Sequence, residues 1–146
     1  MALTTLMFER AGLGAAAVMG LSSAFNDLLE VINERGLGDD PVLRQRIAKI
    51  TISIEAMRRG AQRALTATMK NGIPGPEGSL SKLQWADTNQ SLTELAGDVL
   101  GVEALEPGGI WSYRLLRARA NSIEGGTTEV LKNIVAERVL GLPKLR

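Results

Sequence analysis

Between residues 41 and 70 the apolar side chains recur in alternating steps of four and three: Leu43, Ile47, Ile50, Ile54, Met57, Ala61 and Ala64. An α-helix places such a series on one face, and a seam this regular needs other helices to cover it. It narrows to alanine at its end, where a partner helix can come close. Aromatic residues make up only 3% of the chain, so strand-favouring aromatic runs are missing. A length of 146 residues suffices for one domain with a real core. The expectation is an all-α fold, an antiparallel four-helix bundle plus a short C-terminal helix, as a single domain over 1–146.

The punctuation between helices supports that division. Helix one is predicted over about 2–34, with Leu21, Ala24, Leu28 and Ile32 among its spaced apolar positions and Arg35-Gly36-Leu37-Gly38 as its stop. Asp40 caps helix two, with Pro41 in its first position and an end near residue 70. The loop Asn71 to Gly78 holds two prolines and three glycines and cannot continue a helix. Ser79 is expected to cap helix three, about 80–101, whose buried stripe is Trp85, Leu92, Leu95, Ala96 and Val99. Helix four follows over about 110–121 and helix five over about 127–140.

Composition removes several kinds of chemistry. Cysteine and histidine are both absent, which excludes disulfides, thiol nucleophiles, the commonest general base and the usual zinc ligands. Acid–base work falls to Glu, Asp, Lys or Tyr, and no metal site is expected. A net charge of +1 creates no field to recruit nucleic acid or an anionic membrane. The opening residues lack the basic start of a signal peptide, and Ala11 to Asn26 is too short and too rich in glycine and serine to span a bilayer. A cytoplasmic location is the default. Arg58, Arg59 and Arg63, and Arg114, Arg117 and Arg119, read as solvated, salt-bridged faces; Trp85 and Trp111 read as core or interface anchors.

The segment Ser122 to Arg146 carries the most specific chemistry. A flexible Gly125-Gly126 pair precedes Thr127, which starts an amphipathic helix that a Gly-Leu-Pro run ends. A helix start behind paired glycines is expected to offer unpaired backbone N–H groups to an anion such as a dinucleotide or CoA phosphate.

These residues resemble the C-terminal helical domain of flavin-dependent acyl-CoA dehydrogenases. The resemblance rests on Gly125-Gly126-Thr127-Thr128-Glu129-Val130 and on the following Asn133 to Pro143, which ends in Leu140-Gly141-Leu142-Pro143. Pro74 to Leu83 is similar to a loop of actinobacterial members, and Leu6 to Arg10 looks like the start of the domain's first long helix. The resemblance implies a piece of a longer enzyme, with its N-terminal helical and middle β-domains absent. It also implies FAD, an acyl-CoA substrate oxidised to the trans-2-enoyl thioester, and a homo-oligomer or a hetero-oligomer with another chain of the same kind.

Many members place the proton-abstracting carboxylate just before a Gly-Thr pair in the final turn, where this chain has Gly125. Members acting on isovaleryl and long-chain substrates place it early in the first helix, just before an arginine. That position is Glu9, followed by Arg10, so the resemblance implies Glu9 as the catalytic base. The ordinary alternative is a surface carboxylate. Glu124 competes, because a flexible turn would let it reach inward; a chain without a working base is the third possibility. Gly126, Thr127 and Glu129 match cofactor-binding positions that touch the adenosine diphosphate portion of FAD. Thr127 also reads simply as an N-cap, and Glu129 as a first-turn dipole partner.

The chain departs from the family pattern in three places. Glu34 to Pro41 replaces an Arg-x-x-Phe-Gly stretch, Gly101 to Ala104 replaces a Gln-x-x-Gly-Gly motif, and Leu116-Arg117-Ala118 replaces Arg-Asp-Ala. The first two normally reach flavin across a subunit interface. Their loss leaves open a second class of function, a non-catalytic assembly subunit that binds no flavin by itself.

Overall fold

The structure, a computed structural model, describes residues 2–144, with the side chains of 2–4, 6–13 and 15 outside that description. It is all-helical. Helix α1 spans Ala2–Glu34, α2 Pro41–Asn71, α3 Glu77–Leu100, α4 Ile110–Ala120 and α5 Thr128–Ile134. A 3₁₀ turn, Gly101–Leu105, follows α3, and a π turn, Val135–Val139, continues α5.

The long helices start and stop where the sequence chemistry requires. Asp40 Oδ1 accepts from Val42 N–H at 2.7 Å and Leu43 N–H at 3.0 Å, with Pro41 opening α2. Gly72 closes α2 at φ 74°, and its N–H donates to the Thr68 carbonyl at 2.8 Å. A Cβ there would be strained, which is why glycine ends this helix.

Two boundaries differ from expectation. Helix α3 begins at Glu77, so Ser79 lies inside its first turn and does not cap it. Pro76 at φ −69° already has helical geometry, and the Ser79 N–H donates to its carbonyl at 3.0 Å. Helix five is α-helical only to Ile134 and then widens, the Leu140 N–H reaching back five residues to the Val135 carbonyl at 3.0 Å.

Helix α3 is the centre of the molecule. It packs against α1, α2, α4 and α5, while α1 and α2 also pair with each other. Leu28 and Ile32 of α1, Ile50, Ile54 and Met57 of α2, and Leu92, Leu95 and Ala96 of α3 form one buried cluster. Each such large side chain contributes roughly 1.5–3 kcal/mol by leaving water. Helix α4 lies along α3 and reaches α1 through Arg114, whose Nη2 is 2.7 Å from Asp27 Oδ2. Among the described residues, no helix is long and apolar enough to cross a membrane.

Candidate functional site

The turn between α4 and α5 is held, not loose. Gly125 and Gly126 have φ of 65° and 112°, a path that side-chain-bearing residues rarely follow. On its upstream side, Glu124 accepts from Arg117 Nη1 at 2.9 Å and Nη2 at 2.6 Å. Asn121 Nδ2 donates to the same carboxylate at 2.6 Å, and Asn89 Nδ2 on α3 donates to Asn121 Oδ1 at 2.7 Å. On its downstream side, Lys82 Nζ donates to the Gly126 carbonyl at 2.7 Å. The Thr128 N–H donates to the Ser122 carbonyl at 3.0 Å and closes the loop. The expectation of a flexible glycine pair is therefore corrected: glycine serves here to reach a fixed conformation.

This geometry bears on Glu124. The Arg117 guanidinium, against some opposition from burial, and then Asn121 hold its carboxyl below the ordinary carboxylate range. A carboxylate stabilised by three donated bonds makes a weak proton acceptor.

The start of α5 is also filled from within. Thr127 Oγ1 accepts from the Val130 N–H at 3.4 Å, so Thr127 is the N-cap. Its own backbone N–H and then the Thr127 hydroxyl hold the Glu129 carboxyl below its ordinary range. The N–H groups of Thr128 and Val130 are thus satisfied by the chain itself. What the turn presents outward is acceptor oxygen, chiefly the exposed Glu129 carboxylate. Acceptors suit the hydroxyls and amino group of an adenosine. The residues present fit the adenosine end of FAD.

Glu9 belongs to α1, but its side chain lies outside the described residues. Its place along the helix is still informative. Gly14 and Val18 stand roughly 140° and 180° around the helix from it. Both line a largely apolar cavity of about 410 Å³ between α1, α2 and the start of α3, with Ala61, Ala64, Leu65 and Pro74. That cavity lies on the α2 side of α1, away from the Glu9 register.

The arginines are mostly spent within the chain. Arg58 pairs with Glu55, Arg119 with Glu94, and Arg114 with Asp27 while its guanidinium stacks 4.6 Å from the Trp111 ring. Arg35 donates to the Val99 carbonyl at 3.0 Å and pairs with Glu103. Among the described residues there is no group of three or more ligating side chains that would hold a metal ion.

The family description "Acyl-CoA dehydrogenase, C-terminal domain" matches residues 1–140. The chain belongs to the acyl-CoA dehydrogenase family. Acyl-CoA dehydrogenase IpdE1 of Mycolicibacterium smegmatis is 37% identical over 98% of this chain and 36% of its own length. IpdE1 of Mycobacterium tuberculosis is 36% identical over 98% of the chain and 38% of its own. Acyl-CoA dehydrogenase FadE34 of the same species is 28% identical over 99% of the chain and 20% of its own. The chain therefore spans little more than a third of the IpdE1 relatives. The solved structure of the Tcur3481-Tcur3483 steroid ACAD matches with a TM-score of 0.80 at 24% identity, covering 97% of this chain and 39% of that one. At this identity the likeness establishes the fold of the acyl-CoA dehydrogenase helical domain.

Sequence reasoning missed Lys82 and Asn121, both 1% exposed and both part of the turn's support. A signal for Lys82 was available. It sits in step with Ser79, Leu83 and Ala86 on the buried face of α3, where a charged residue is unusual.

Proposed function

We propose that this chain is the C-terminal helical domain of a flavin-dependent acyl-CoA dehydrogenase, and that Glu9 is its proton-abstracting base. The observation that carries this is the state of the final turn. Position 125 has no side chain, and both Glu124 oxygens are engaged by Arg117 and Asn121. Neither position 125 nor Glu124 is free to take a proton, which leaves the α1 position that other members use.

In this reading Glu9 takes the α-proton of an acyl-CoA thioester, giving the trans-2-enoyl product. FAD, when bound, accepts the β-hydrogen as hydride. Glu129 and Thr127 hold the adenosine end of the cofactor, and Gly126 gives the backbone path that brings them there. The N-terminal helical and β-domains of the family would complete the site. Ile110, Tyr113 and Leu116 leave an exposed apolar face on α4, which supports assembly with a second acyl-CoA dehydrogenase-like chain, whether a copy or a relative.

The test is Glu9→Gln in the complete flavoenzyme. Dehydrogenation should fall by about 10²–10⁴-fold, the usual worth of a positioned general base, with flavin retained. Full activity in that variant would remove the assignment.

A second reading, a non-catalytic assembly subunit, is favoured by Arg35. It is committed to Val99 and Glu103 of its own chain, in the region where many members send an arginine to a neighbour's flavin. Flavin absorbance of the complete protein separates the two, since a colourless protein that takes up no FAD supports the second.

A further inference from the structure

Lys82 is 1% exposed, and among the described residues its ammonium makes a single hydrogen bond, to the Gly126 carbonyl at 2.7 Å. No carboxylate lies within ion-pair distance of it among the described residues; Glu124, Asp87 and Glu129 act on it only from farther away. A buried cation with one acceptor is an expensive way to fill space, because losing its hydration is not repaid by a close counter-ion. A methionine would pack there at lower cost. What methionine cannot do is hold a carbonyl.

The carbonyl in question is a sensitive one. Gly126 turns at φ 112°, and the next residue, Thr127, begins α5. With Glu124 tied to Arg117 and Asn121 upstream, the Lys82 bond fixes the other side of the glycine pair. Fixing both sides of a two-glycine turn removes the freedom that glycine otherwise brings.

We propose that Lys82 is a positioning residue that sets the Gly125–Gly126 turn from α3, and through it the placement of Thr127 and Glu129. It rests on the reading of those two residues as cofactor contacts. Lys82 itself touches no ligand. It converts a flexible linker into a preformed edge, so cofactor binding need not first order the turn.

The test compares Lys82→Met and Lys82→Arg with the parent, by amide hydrogen exchange in the 146-residue chain and by FAD titration of the complete flavoenzyme. In Lys82→Met, exchange over 125–131 should quicken about tenfold, the scale of one lost hydrogen bond, with exchange around Ile50 and Ile54 unchanged. FAD affinity should weaken by a similar factor, and Lys82→Arg, which keeps a charged donor, should recover most of both. Unchanged exchange at the turn overturns the proposal. So does an equal rise in exchange across α1, α2 and α3, which would make Lys82 a packing residue. If Lys82→Met does not fold, Lys82→Gln is read by the same criteria. If the complete enzyme takes up no FAD, the cofactor reading fails, while the exchange comparison still decides what Lys82 does.

Discussion

Arg117 grips Glu124 with both terminal guanidinium nitrogens, at 2.9 and 2.6 Å, seven residues apart across the end of α4. The bond joins the last turns of α4 to the residue that enters the double glycine. Paired bonds of this geometry fix orientation as well as distance.

The pairing gives the protein an acid-sensitive element. Glu124 has its folded-state pKa held below the ordinary 4.5 by Arg117 and Asn121. Its stabilising effect is therefore complete above pH 4.5 and fades as pH falls from there through the lower folded value. Thermal unfolding of wild type and Glu124→Gln across pH 6 to 3 should show the two converging in that window. Parallel curves would mean that Glu124 titrates alike in the folded and unfolded chain.

Two glycines should respond to alanine in opposite directions. Gly126→Ala puts a Cβ 3.2 Å from Leu131 Cδ2 at φ 112°, and should destabilise the fold by about 1–3 kcal/mol. Gly97 lies inside α3 with nothing within 4 Å of an added Cβ. Gly97→Ala should stabilise by about 0.5–1 kcal/mol, because alanine loses less chain entropy in a helix. Urea midpoints of the two variants, at equal slope, decide both signs.

Asp40→Ala removes the acceptor for the Val42 and Leu43 N–H groups and should cost about 1 kcal/mol. Asp40→Asn should lose much less, since an amide oxygen caps almost as well. Chemical denaturation is the measurement, and equal losses in the two variants would show that charge, not capping, is at work.

The helical architecture was legible because the sequence states it locally. The seam from Leu43 to Ala64, the Asp40-Pro41 start and the glycine stops each act within a few residues. The Ser79 error has a similarly local cause. Pro76 reads as a loop residue beside Pro74 and Gly75, but its fixed φ also suits a helix entrance. The character of the final turn was not legible in this way. Gly-Gly reads as flexible until Lys82, 44 residues earlier, is seen to reach Gly126. Lys82 was passed over because lysine is ordinarily a surface residue. Glu124 offered no sequence sign that its oxygens were already taken.

The central position of α3 also has a consequence for synthesis on the ribosome. Helices α1 and α2 precede α3 along the chain and can pair as neighbours, yet Ile50, Ile54 and Met57 complete their cover only against residues of α3. Until about Leu100 has left the exit tunnel, that hairpin carries an open apolar seam into the cell. A nascent chain in this state exposes the apolar surface that chaperones bind, until α3 closes the core.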